Sequence, residues 1–444
     1  MQFDRKALFL VLGPVLALAA LMLDLPIGFQ AKIVFAITLL AVVYWFSEAI
    51  ELHVTGLLVA FLLIVFAGFT PKEIFPNYFD PVVMLLLGGF MLALALQKYE
   101  LDRLLAGKAL KYLGKNPKIV LLGFMAMTAF LSFWVSNTAS AAVMIPIALY
   151  ILSKNRLELK KSNYAKAFVL AVAYAATIGG LGTLVGSTPN PLAARYINEL
   201  GIKFGFTDWL FYGLPFVFVF LFVIWFVVLG IYRPEVKEIK IGETKERLGR
   251  KQLMVLGIFG ITIALWVTEG ITGLNSSVVA LIPVILLYFS RLVNEGDFSK
   301  INWAILSLIG SGIALGYAFN ASGFDLFIAS LIKGVIIGQP LFFVLFAISV
   351  AGIAMTMFAS NTASAAIMIP LIIPLAPVLG IPVQTLIIVT AVAVSLDFTA
   401  PMGTPPNAIA YSTGAVTVKD MAKTGLLLSL LASLLLAGFA AFLW

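Results

Sequence analysis

Two copies of Ser-Asn-Thr, at 136 to 138 and 360 to 362, each interrupt the middle of a long apolar stretch. A non-helical break at membrane depth leaves backbone groups that cost several kcal/mol each in hydrocarbon, so it must lie inside protein or line a wet cavity. The half-helix after each break would begin near Asn137 or Asn361, turning its free N–H groups and positive dipole end toward an anion. Asn137, Thr138, Asn361 and Thr362 add neutral donors at the same points. Plain helix capping uses the same residue types. Two copies inside two long apolar stretches favour binding.

Gly186-Ser-Thr-Pro-Asn190 and Gly403-Thr-Pro-Pro-Asn407 form a second pair of interruptions. Glycine and proline there break the helix and free backbone carbonyls, which suit hard cations. Gly182, Gly186 and Gly403 can thus join the oxygens of Ser132, Thr356, Asn137 and Asn361 around sodium, the alternative being a simple proline kink. No lysine or arginine lies near these breaks. Two helix ends at up to about 2 kcal/mol each cannot offset the desolvation of a dianion, so mobile cations or retained water must supply the rest. Asp397, ten residues before Asn407 and well inside an apolar stretch, is a candidate coupling residue. Glu48 and Glu269 occupy matching positions near span ends and read as structural, and His53 beside Glu51 reads as a polar loop residue.

The elements that must position these residues are membrane spans. Of 444 residues, 62% are hydrophobic and 11% charged, with no cysteine and one histidine. Thiolate, disulfide and multi-histidine chemistry are excluded, and no paired carboxylates or nucleophile with a histidine base suggest an enzyme. The net charge of +8 sits between apolar runs and reads as positive-inside sorting rather than nucleic-acid binding. Eleven spans are expected, near 7 to 25, 31 to 50, 53 to 69, 81 to 98, 165 to 200, 209 to 232, 251 to 268, 274 to 290, 302 to 320, 381 to 412 and 420 to 444. The first follows Arg5 and Lys6 and runs past the length of a signal-peptide core, so it reads as a retained span. The stretches 118 to 153 and 340 to 378 read as re-entrant hairpins.

Lys98, Arg103, Lys108, Lys111, Lys115 and Lys118 follow the fourth span. A second basic group, including Arg233, Lys240, Lys245, Arg247 and Arg250, follows the sixth. Only Lys333 lies between the ninth and tenth. This places the amino terminus in the cytoplasm and the carboxy terminus outside. Ser136 to Pro146 recurs as Ser360 to Pro370, 224 positions later with one conservative change. Trp45 to Glu48 matches Trp266 to Glu269, and Gly88 falls opposite Gly310. The organisation read from this is a first span (1–30), a repeat (31–232), a basic cytoplasmic linker (233–250) and a second repeat (251–444). Five spans and one hairpin in each repeat force the copies into opposite orientations.

Two Ser-Asn-Thr hairpin tips, each followed by a Thr/Pro/Asn break, resemble the divalent anion:sodium symporter family of dicarboxylate and citrate carriers over nearly the whole chain. The resemblance implies an all-α homodimer of the cell inner (plasma) membrane whose hairpin-bearing part slides like an elevator. It implies that Asn137, Thr138, Asn361 and Thr362 hold substrate carboxylates beside Ser187, Thr404 and Pro405. One sodium would use Ser132, Ser136, Asn137 and Gly186, and another Thr356, Ala359, Asn361 and Gly403. The sequence departs from the family pattern at Ser187-Thr188-Pro189, which bears on substrate preference, and at Asp397, where a small neutral residue is expected. The expected function is sodium-coupled transport of C4 dicarboxylates. The alternatives are a sodium-independent exchanger or proton-coupled carrier for citrate, 2-oxoglutarate, sulfate or another oxyanion, and an anion channel using the same helix ends.

Overall fold

The computed structural model describes residues 5–110, 113–241 and 248–444. Lys111, Lys245 and Arg247, which contribute to the charge reading, lie outside the described residues. Among the described residues every regular element is helical. Among the described residues nine helices, from Phe29–Ser47 to Val418–Phe442, are long and apolar enough to cross a bilayer. Outward-facing side chains such as Phe211, Phe218 and Phe226, each more than half exposed, suit hydrocarbon.

Each expected span carries helix, and both hairpin stretches are helix, break, helix. The first pairs Pro117–Ser132 with Asn137–Lys154, and the second pairs Leu341–Thr356 with Asn361–Ile372. The broken spans are Asn163–Gly179 followed by Pro189–Glu199, and Val383–Ala393 followed by Pro405–Ser412. Proline starts both second pieces, where a missing N–H costs nothing. The segment read only as a connection around Lys333 is itself a helix, Phe324–Ile336. It buries Phe324, Asp325 and Ala329 and is too short for a span-length apolar window to reveal. His53 also departs from expectation, since it lies in the first turn of Leu52–Val65 rather than in a loop.

The breaks interlock the two halves. Asn163–Gly179 is buried almost all round, which its alanine-rich sequence permits, because small side chains let neighbours approach on every face. It packs against both helices of the first hairpin, against Phe206–Ile231, and against Pro405–Ser412 from the other half. Val383–Ala393 is surrounded equivalently by the second hairpin, Val418–Phe442 and Pro189–Glu199. The piece after each break therefore belongs to the opposite half's core.

Several repeated landmarks prove to be fasteners. Trp45 and Trp266 are at most 1% exposed and donate to the carbonyls of Leu52 and Ser276 at 3.1 and 3.0 Å, so they are not membrane-interface anchors. Glu269 accepts from the backbone N–H groups of Phe206 and Ser276, both at 3.2 Å, and from the Ser276 hydroxyl. Gly88 and Gly310 both mark close approaches: a Cβ would fall 2.0 Å from the Ala280 carbonyl oxygen and 2.7 Å from the Tyr78 Cα.

Candidate functional site

Both hairpin tips and both breaks open onto one cavity of about 1070 Å³. Its wall includes Ser136, Asn137 and Thr138 from the first tip and Ala359, Ser360, Asn361 and Thr362 from the second. Gly186, Ser187 and Thr188 from one break face Gly403, Thr404 and Pro405 from the other. Residues as far apart in sequence as 136 and 405 thus share one wall.

At the tips, the Ser136 and Ser360 hydroxyls cap their helices by accepting from the Ala139 and Ala363 N–H groups at 3.3 and 3.2 Å. The plain capping role is therefore real for the serines. It leaves the N–H groups of Asn137, Thr138, Asn361 and Thr362 without intrahelical partners, because the first helical N–H groups have no carbonyl one turn before them. Helix geometry thus delivers two positive helix ends to the cavity.

The asparagine amide oxygens each accept from a hydroxyl behind the wall, and at the first tip that hydroxyl also meets a carbonyl. Ser132 Oγ donates toward Asn137 Oδ1 at 2.8 Å and the Ala176 carbonyl at 2.6 Å, and Thr356 Oγ1 donates to Asn361 Oδ1 at 2.7 Å. Ser132 and Thr356 are fully buried and do not line the cavity. A Cβ on Gly186 would meet the carbonyl oxygens of Gly180 and Ser132 at 2.6 and 2.9 Å, so backbone oxygens crowd this break. Hydroxyl, amide and carbonyl oxygens converging without a thiol or imidazole suit a hard cation. Gly182 instead lies under the Phe133 ring and is absent from the cavity wall.

The breaks are held by their asparagines. Asn190 Nδ2 donates to the Gly180 and Thr183 carbonyls at 2.8 and 2.7 Å, and Asn407 Nδ2 to the Ala400 carbonyl at 3.1 Å. Thr183 Oγ1 also donates to the Phe133 carbonyl, tying the first break to the first tip. The Thr404 hydroxyl caps Pro405–Ser412 by accepting from Asn407 N at 3.4 Å.

The cavity wall contains no lysine or arginine among the described residues, and its one charged member is Glu48. Arg195, on the helix after the first break, pairs with Asp80 at 3.2 Å and Glu199 at 2.6 Å and does not reach the wall. Glu48 is exposed with φ of 47°, while its repeat partner Glu269 is locked in hydrogen bonds, so the matched pair has diverged in role. Asp397 lies behind the wall and is fully buried.

Sequence reasoning did not single out Thr188. Its hydroxyl shares a 2.5 Å hydrogen bond with that of Thr362, joining the first break to the second tip. Pro405 takes the corresponding place in the second break and has no hydroxyl. The aromatic and thioether parts of the wall, including Phe46, Trp134, Phe358 and Met402, carried no motif that could mark them.

A family profile described as "Sodium:sulfate symporter transmembrane region" matches residues 5–444. An uncharacterized transporter of Haemophilus influenzae is 34% identical over 436 residues, covering 94% of this chain and 93% of its own. The sodium-dependent dicarboxylate transporter SdcS of Staphylococcus saprophyticus is 33% identical, with 95% and 88% covered. Its namesake from Staphylococcus aureus is 31% identical, with 96% and 89% covered. Among solved structures, the Alcanivorax borkumensis YdaH transporter matches with a TM-score of 0.59 at 15% identity, covering 84% of this chain and 88% of that one, a likeness of fold. With a family profile spanning residues 5–444 and relatives above 30% identity along more than nine-tenths of its length, the chain belongs to the sodium:sulfate symporter family, the divalent anion:sodium symporters that its motifs resemble.

Proposed function

We propose that this membrane transporter couples sodium to the uptake of C4 dicarboxylates such as succinate, malate and fumarate. The observation that carries the reading is one cavity receiving two helix N-termini, with a hydroxyl–amide oxygen pair behind each and no basic side chain among the described residues of its wall. The relatives named as sodium-dependent dicarboxylate transporters support it.

Asn137 and Thr138 take one substrate carboxylate, and Asn361 and Thr362 take the other. Ser187, Thr404 and Pro405 set the space between. One sodium binds at Ser132, Ser136, Asn137 and Gly186, and the second at Thr356, Ala359, Asn361 and Gly403. Each asparagine then serves both ligands: its Oδ1 faces the cation and its backbone N–H faces the anion. A cation about 4 Å from a carboxylate contributes about 4 kcal/mol at an effective dielectric of 20, more than either helix end. Sodium therefore binds first and raises affinity for the dianion, and the dianion raises affinity for sodium by the same factor.

The two repeats, 31–232 and 251–444, lie in opposite orientations, with 1–30 outside them and 233–250 as a cytoplasmic linker. Opposite orientation brings equivalent tips to the midplane from the two faces. The amino terminus is cytoplasmic, and the protein works as a homodimer whose hairpin-bearing parts move as elevators.

Uptake of radiolabelled succinate into proteoliposomes, with an inward sodium gradient and then with choline replacing sodium, tests the reading. Saturable, sodium-dependent accumulation is expected. Uptake that persists in choline and responds to internal anion would replace it with exchange, and flux that does not saturate would replace it with a channel.

A further inference from the structure

Asp397 stands where the first half has a glycine. The spacing that pairs Gly186 with Gly403 and Asn190 with Asn407 pairs Gly180 with Asp397 and Thr183 with Ala400. The hydrogen bonds keep that register. Asn190 Nδ2 donates to the carbonyls of Gly180 and Thr183, and Asn407 Nδ2 reaches those of Asp397 at 3.5 Å and Ala400 at 3.1 Å. In the first half, a Cβ on Gly180 would fall 2.3 Å from Asn137 Oδ1. A side chain at Gly180 would therefore enter the oxygen cluster of the first half. In the second half the matching residue carries a carboxylate.

Its two oxygens are treated differently. Oδ1 accepts from the Thr399 N–H at 2.9 Å and the Thr399 hydroxyl at 2.7 Å. Oδ2 has no hydrogen-bond partner, although the residue is 0% exposed. It lies 1.5 Å from the point where a Cβ on residue 403 would sit, so the glycine at 403 makes the room that this oxygen occupies. A buried carboxylate oxygen without a donor is costly. A cation at Gly403 removes that cost.

We propose that Asp397 is a direct anionic ligand of the cation at the second break, so that one cation site is built from neutral oxygens and the other carries a negative charge. The proposal rests on the reading that this cavity takes sodium. The charged site then fills at lower sodium concentration than the neutral one. Until it fills, its carboxylate repels a dianion entering the shared cavity, which enforces the order of cation before substrate.

The test uses the full-length protein in lipid nanodiscs, with sodium alone as the probe. Melting temperature and the fluorescence of Trp134, a cavity-wall residue, are followed against sodium concentration at constant ionic strength with choline. Asp397→Asn is expected to raise the half-saturating sodium concentration at least about tenfold, the scale of losing an interaction that tunes a metal site. In choline alone it is expected to melt no lower than wild type, because it removes an unpaired buried charge. Gly403→Ala, whose methyl would take the space of Oδ2, is expected to weaken sodium binding similarly and serves if Asp397→Asn does not fold. An unchanged sodium titration overturns the proposal. So does a weakened titration accompanied by a lower melting temperature in choline, which would make Asp397 a packing group held by Thr399. Absence of any sodium response in the wild type would instead overturn the sodium reading itself.

Discussion

Thr356→Val preserves the shape of a fully buried side chain and deletes a single oxygen. That oxygen donates to Asn361 Oδ1 at 2.7 Å and belongs to the second of the proposed sodium sites. Losing the donor strands a half-buried amide oxygen, which costs about 2 kcal/mol rather than the roughly 1 kcal/mol net worth of a made hydrogen bond. A loss of about 2 kcal/mol corresponds to roughly a 30-fold change in an equilibrium constant. The assay is succinate uptake into proteoliposomes as a function of external sodium, with succinate saturating and the membrane potential clamped at zero. The half-saturating sodium concentration should rise by about 30-fold, the rate at saturating sodium should stay within about threefold of wild type, and Thr356→Ser should restore the curve. A valine variant with the wild-type sodium curve would refute the reasoning. So would one whose sodium curve is unmoved while its succinate KM rises, since the hydroxyl would then serve the substrate.

Asn137→Ala and Asn361→Ala should each lower uptake at least about tenfold, since each removes an amide that the proposed function puts between cation and anion, while size-exclusion profiles stay unchanged; wild-type transport by either would remove the shared-site arrangement. Gly88→Ala should destabilise the protein by about 1–3 kcal/mol through overpacking against Ala280. Gly230→Ala, with nothing within 4 Å of the added carbon, should not, and equal melting curves for the two would contradict the packing. At the connection before Trp303, burial pushes the Asp297 carboxyl up, but hydrogen bonds from Lys98, the Asn294 N–H and Lys300 hold it below its ordinary value. Its folded-state pKa is depressed, so its stabilisation is complete above the unfolded value of about 3.9 and is lost as pH falls through the folded value. Lys98→Met should melt a few degrees lower at pH 7 and show a shallower further loss on acidification, which thermal melts at a series of pH values would check.

The candidate site was legible because its chemistry violates its surroundings. Ser-Asn-Thr and Gly-Ser-Thr-Pro-Asn are conspicuous in apolar stretches, where every polar group must be answered. Ser132 and Thr356 each lie five residues before an asparagine, and both hydroxyls meet that asparagine's amide oxygen. Thr188 was not legible as a contact of Thr362, because 174 residues separate them and no periodicity relates a loop to a distant helix start. The divergence of Glu48 from Glu269 was equally hidden, since the repeat makes the two look alike in sequence.

The sequence by itself determined the helices, their breaks and the repeated motifs. These follow from hydrophobicity, proline and glycine geometry, and residue identity, all local properties. Only the tertiary structure decided that Pro189–Glu199 packs in the second half's core and Pro405–Ser412 in the first, and that both tips and both breaks therefore share one cavity. The structure also left Asp397 Oδ2 unpaired against Gly403. Such outcomes depend on which nonlocal surfaces fit at close range, and a chain's local pattern does not contain that information.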